Sequence, residues 1–222
     1  LATAGVSPAA AQGPPEERGT LTQLRIVVDS TTWHDVAASE FLAESFQSVA
    51  RPTPAEIALC GRFACLVLVS PGEAPGTMPG SVTLGAMPAA GGTLVPPTED
   101  SLPVGVRVAR IESPPAPDWT IDPDSLGIIY DLTEATVALD PTAVIQIARS
   151  LHRAGITVEV DGMMATVLFG AASVYLVPAG DVAGLVRATF LLRRPAAGNP
   201  TYRFGGRSTL RFGPGRAATW TF

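Results

Sequence analysis

Apolar and polar positions alternate along much of this chain with the period of two that a half-buried strand requires. "SVTLGAM" (81–87) sets Val82, Leu84 and Ala86 against small residues, and "VGVRVARIE" (104–112) does the same with Val104, Val106 and Val108. "LTQLRIVVDSTTW" (21–33), rich in β-branched and apolar residues, predicts a first strand ended by Asp29-Ser30. "RFACLVLVS" (62–70) is almost wholly apolar and predicts a strand covered on both faces. "LGIIYDLTEATVAL" (126–139) predicts one or two strands, and "ITVEVDGMMATVLFG" (156–170) predicts a hairpin turning at Asp161-Gly162. "ASVYLVPAG" and "GLVRATFLLRRP" predict a close pair around Gly180-Asp181.

Helical signals are fewer. Asp140 as cap, Pro141 at the first position and Gly155 at the end bracket "PTAVIQIARSLHRAG", with Arg149, His152 and Arg153 near the C-terminal dipole. "PTPAEIALCG" (52–61) has the same grammar, with Thr53 as cap, Pro54 next and Glu56 three residues after the cap, and predicts a helix of about two turns. "DVAASEFLAESFQSVA" (35–50) is helical in residue type, with strand plus excursion as the other reading. Residues 1–20, small and proline-rich, read as an arm.

With 21 prolines, 22 glycines, 46% hydrophobic and 16% charged residues, the composition excludes a helical bundle and suits short strands joined by many turns. No apolar run reaches about 18 residues, so no membrane-spanning helix is expected. Cys60 and Cys65, five apart and without a second pair, read as two buried thiols compatible with a reducing compartment, because they cannot complete a tetrahedral zinc site. His34 and His152 lie far apart, and no phosphate loop, dinucleotide fingerprint or zinc-protease motif is present. No catalytic, cofactor or metal residues are therefore assigned. Asp118, Asp122 and Asp124 are close on a loop and offer oxygen ligands for a hard cation, with solvated turn residues as the simpler reading.

The net charge of −5 hides a polarity. The last acid is Asp181; residues 182–222 carry seven arginines and no acid, +7, while residues 1–181 carry eight arginines against twenty acids, −12. Residues 196–222 read as a basic, aromatic C-terminal arm. Its Arg203, Arg207, Arg211 and Arg216, with Arg193 and Arg194 just before it, interleave with Tyr202, Phe204, Phe212 and Trp220. Guanidinium groups neutralise phosphates and aromatic faces stack on unpaired bases, so the set is expected to meet nucleic acid or a neighbouring subunit.

"PTPAEIALCGRFACLVLVS" (52–70) followed by "MPGSVTLGAM" (78–87), with the strands at 172–195 at the close, resembles the shell domain of icosahedral RNA-virus coat proteins. In that family a short helix often precedes an apolar strand, and "TPGSV"-like residues open the next. The resemblance implies an antiparallel β-sandwich of jelly-roll type over residues 21–195, with two or so short helices in the connections. It also implies a homo-oligomeric shell around an RNA genome, found in the virion and in host cytoplasm during assembly, with no enzymatic activity. The neutral-to-acidic first 20 residues and the long helix after Asp140 depart from the pattern. The alternative is a monomeric β-sandwich module that binds peptide or carbohydrate through its loops.

Overall fold

Alternation at this density produces strands, and the computed structural model, which describes residues 19–72, 80–87, 106–110, 127–180 and 183–222, is mainly β. Its elements are β1 (Thr20–Val27), α1 (Ser30–Ala37), α2 (Glu40–Ser45), β2 (Ser48–Ala50), β3 (Glu56–Cys60), β4 (Cys65–Val69), β5 (Val82–Met87), β6 (Val106–Arg110), β7 (Ile129–Leu139), α3 (Pro141–Arg153), β8 (Thr157–Asp161), β9 (Met164–Leu168), β10 (Ser173–Pro178), β11 (Gly184–Leu192), β12 (Thr201–Phe204), β13 (Ser208–Phe212) and β14 (Ala217–Thr221). The expected arm up to residue 18, the centre of the Pro/Gly loop at 73–79, and Asp118, Asp122, Asp124 and Asp181 lie outside the described residues.

The best-marked helix forms where its caps stand. Asp140 accepts the Thr142 amide, Pro141 opens α3, and Val144, Ile147, Ala148 and Leu151 bury one face. Asp29 ends the first strand and caps α1, accepting from the Thr32 amide at 2.9 Å. The helix expected at 52–61 is absent: Glu56–Cys60 is strand β3, with Ile57, Ala58, Leu59 and Cys60 all buried. Cap grammar contributes about 1 kcal/mol, whereas pairing along β4 buries four apolar side chains, so tertiary burial wins. β4 itself is buried at every position, as a strand covered on both faces should be.

The strands form a six-stranded sheet ordered β2-β3-β4-β1-β5-β6 and an eight-stranded sheet ordered β12-β13-β14-β11-β7-β10-β9-β8. Both are mixed: most neighbouring strands pair antiparallel, as expected, while β1 with β4, β7 with β10 and β5 with β6 run parallel. The two orders contain the same motif. A first strand leads through helix to a three-strand meander, whose last member returns parallel to the first, and the next strand pairs antiparallel on the first strand's other side. This describes β1–β5, with α1 and α2 as crossover, and β7–β11, with α3 as crossover. A parallel return needs such a crossover. It also separates strands that are adjacent in sequence: β10 and β11, expected as a close pair, flank β7, and β4 and β5 flank β1.

The larger of two apolar clusters among the described residues runs through both sheets, with Phe46 of the α2 C-cap edge-on to Phe190 of β11 at 5.5 Å, and the smaller, including Val27, Ala58 and Val67, lies within the six-stranded sheet. The firmest polar link is Asp131 of β7, 3% exposed, whose carboxylate receives the turn between β3 and β4. The amides of Phe63 and Ala64 donate to its two oxygens at 3.1 Å each, that of Leu132 donates at 2.9 Å, and the Arg62 amide donates to the Tyr130 carbonyl at 2.8 Å. Gly61 makes the approach possible, because a Cβ there would stand 2.6 Å from the Asp131 Cα.

The same turn carries a disulfide. Cys60 and Cys65 face each other across β3 and β4 with Cα atoms 4.0 Å apart, and they are bonded rather than two free thiols. The Gly61 amide bonds to the Ala64 carbonyl just beyond them, leaving the cysteines at a close, non-hydrogen-bonded register position where a bridge fits. A bonded pair suits an oxidising setting rather than the reducing one that free thiols fit.

Burial pushes the Asp131 carboxyl up from 3.8 to about 6, against its three backbone donors and Arg62. A folded-state value above the unfolded one contributes stability that is fully present below about pH 4 and lost as pH rises through about 6. Wild-type stability measured by urea unfolding at successive pH values therefore carries a falling component across that window, and Asp131→Asn removes it. Asp131→Ala orphans the buried Ala64 amide and costs about 1–3 kcal/mol. Without reductant neither cysteine takes up an alkylating agent in mass spectrometry, and Cys60→Ala/Cys65→Ala lowers stability by about 2 kcal/mol, the loop-entropy value for so short a bridge.

Candidate nucleic-acid interface

The segment expected as an arm is instead three strands of the larger sheet. β12, β13 and β14 form a meander whose last strand pairs with β11. Trp220 and Leu210 are 0% exposed and Phe212 is 1% exposed, so the segment supplies core. The interleaving of arginines with aromatics is the period of two of a strand with one wet face. On β12, Tyr202 and Phe204 point inward and Arg203 outward; on β13, Leu210 and Phe212 point inward and Arg211 outward.

Each aromatic ring of the expected stacking platform is engaged inside. Tyr202 stacks on Phe41 of α2 with centroids 3.7 Å apart, Phe212 stands edge-on to Phe41, and Phe204 tilts against Trp220. The Trp220 indole N–H donates to the buried Ser208 hydroxyl at 2.6 Å. Phe204, Phe212 and Trp220 are buried and offer no face to a base, and partly buried Tyr202 has one face taken by Phe41.

The arginines divide. Arg193 is half-buried, 5.0 Å from the Tyr130 ring centroid, and donates to Gln47 Oε1 at 3.1 Å, so it is a structural link between the sheets. Arg216 donates through Nε to the Leu192 carbonyl at 2.8 Å. Arg194 is exposed after β11, and Arg207 is exposed in the β12–β13 turn. Arg203 and Arg211 stand on the outer sheet face, and β11 adds Arg187, which lies outside the segment expected as an arm.

The strand registers fix how these groups lie. One outward row crosses all eight strands in the order Glu159, Thr166, Tyr175, Thr136, Arg187, Thr221, Thr209, Arg203. The next runs Thr157, Leu168, Ser173, Glu134, Thr189, Thr219, Arg211, Thr201. The β11–β14 half of this face is arginine and threonine without an acid, and both glutamates lie on the other half. Among the described residues the one salt bridge is Arg25 with Glu56, so these arginines have no ionic partner there. The signal that would have revealed the face is the inward run Tyr202, Phe204, Leu210, Phe212 and Trp220, read as a sheet pattern.

Among the described residues no three metal-ligating side chains cluster, and no helix is long and apolar enough to cross a membrane. No protein-family model matches the chain, and no curated protein sequence matches it. Among solved structures the chain is similar, at 13% identity and a TM-score of 0.40, to one described as a xylose isomerase-like TIM barrel/4-hydroxyphenylpyruvate dioxygenase fusion protein. The match covers 79% of this chain and 35% of that one, so the chain spans about a third of that protein's length.

Core and surface roles of this segment separate experimentally. Trp220→Ala costs about 3–5 kcal/mol in urea unfolding, the range for emptying a fully buried aromatic site. Arg203→Ala and Arg211→Ala stay within about 0.5 kcal/mol of wild type, as exposed positions do.

Proposed function

We propose that this chain is a nucleic-acid-binding protein that holds the phosphate backbone of a duplex on the outer face of β11–β14, without reading sequence. The observation that carries this reading is the outward face on which Arg187 and Arg203 share one row and Arg211 stands in the next, on a unit with seven arginines and no acid. Arginines of this kind replace condensed counterions, and the Thr209 and Thr219 hydroxyls among them are donors of the type that commonly meets phosphate oxygens, whereas Thr221 already donates to the Thr209 carbonyl. The inward aromatics argue for a duplex rather than a single strand, because single-strand binders without sequence preference rely on stacking. Neither covalent chemistry nor a cofactor enters this reading. The shell-subunit reading shares the partner and adds self-assembly.

Titration with a short DNA or RNA duplex at several salt concentrations tests it. Affinity falls log-linearly with salt, and Arg187→Ala/Arg203→Ala/Arg211→Ala reduces the slope by about 2.7, at roughly 0.9 for each phosphate contact. Arg149→Ala/Arg153→Ala on α3 leaves the slope unchanged. No binding at low salt, or the same slope in the triple variant, overturns the proposal. Sedimentation velocity of the same samples decides on assembly, since large closed particles would establish the shell and a persistent small species would remove it.

A further inference from the structure

At the C-terminal end of β1 a cleft of about 430 Å3 opens between the two sheets, within the size range of small-molecule sites. Its apolar lining includes Ile26, Val28, Leu185 and Phe222. Its polar lining includes Asp29, Arg207 and Ser208.

These three groups are set in place by the fold. Asp29 caps α1, its oxygens accepting from the Thr32 amide at 2.9 Å and the Thr32 hydroxyl at 2.6 Å. Those bonds outweigh partial burial and hold its carboxyl below the usual value, so it remains an anion. The turn carrying Arg207 is fastened to the same helix. The Gly205 amide donates to Asp35 Oδ2 at 2.7 Å, and Gly205, at φ +64°, lies so close that a Cβ would stand 2.4 Å from Thr32 Oγ1. Ser208 is 3% exposed and its oxygen accepts from Trp220, leaving a buried hydroxyl proton with no acceptor among the described residues. Asp29 and Arg207 do not pair with each other, so among the described residues the cleft presents one charge of each sign and one spare donor beside an apolar wall.

We infer that this cleft binds a zwitterionic amino acid with an apolar side chain, its carboxylate meeting Arg207 and the Ser208 hydroxyl, its ammonium facing Asp29 and its side chain lying on Leu185 and Phe222. A simple carboxylate would leave the Asp29 charge opposed, and a simple amine would do the same to Arg207. The dipolar ligand satisfies both. This site is separate from the arginine face and takes a different class of ligand.

Isothermal titration calorimetry with L-phenylalanine, 3-phenylpropanoate and 2-phenylethylamine tests the inference. L-phenylalanine binds, and each analogue, lacking one charge, binds about tenfold or more weakly, as expected for a lost charge-assisted contact. Asp29→Asn keeps a competent helix cap while removing the charge, and it weakens L-phenylalanine but not 3-phenylpropanoate. Arg207→Gln weakens L-phenylalanine but not 2-phenylethylamine. No heat with L-phenylalanine at millimolar concentration, or equal binding of L-phenylalanine and 3-phenylpropanoate, overturns it. Duplex titration of the same wild-type sample reports on the arginine face independently.

Discussion

The two sheets depend on one buried carboxylate. Asp131 leaves β7 of the larger sheet and closes the β3–β4 turn of the smaller one, satisfying amides that burial between sheets would otherwise strand. The constraint reaches outward from there. Gly61 has no room for a side chain against Asp131, the disulfide holds the two strands that present the turn, and Arg62 donates to the Tyr130 hydroxyl at 2.7 Å. A second close passage, where a Cβ on Gly184 would stand 2.2 Å from the Gly80 carbonyl oxygen, fastens the sheets near the cleft. Apolar burial drives the sheets together, and these backbone-scale contacts decide their relative position.

That union gives the larger sheet one buried face and one exposed face. The inward row Val167, Val174, Ala135, Ala188, Trp220 and Leu210 is 0% exposed throughout. The next positions along the same strands carry mostly threonine, arginine and glutamate, with Leu168, Ser173 and Tyr175 on β9 and β10. Stability is concentrated on one face, which leaves the charge pattern of the other free to vary with little effect on the core. The cleft lies where the sheets meet, at the end of a central strand and the start of a helix, so its polar groups are held by both.

The recurrence of one strand order in β1–β5 and β7–β11 shows that both halves solve the same problem. A helix returns the chain across its sheet, the meander closes against the first strand, and the next strand takes the free edge. In each half this places the first strand centrally, with hydrogen bonds on both sides. β1 ends at the cleft, and β7 carries Asp131.

Much of the local structure was legible in the residues themselves. The period of two marked most strands, the Asp140-Pro141 and Gly155 signals marked α3, and the unbroken apolar run of β4 marked burial on both faces, because each depends on neighbours in sequence. Strand order, by contrast, depends on distant partners, so β10 and β11 looked like a pair until β7 lay between them. The same dependence explains β3, where a helix-cap grammar yielded to burial, and the bonded cysteines, whose register only the β3–β4 pairing sets. The arginine and aromatic spacing after residue 196 was visible from the start, yet alternation alone does not distinguish a free arm with two chemistries from a strand with two faces. The core decided that, by accepting the rings and leaving the guanidinium groups in water.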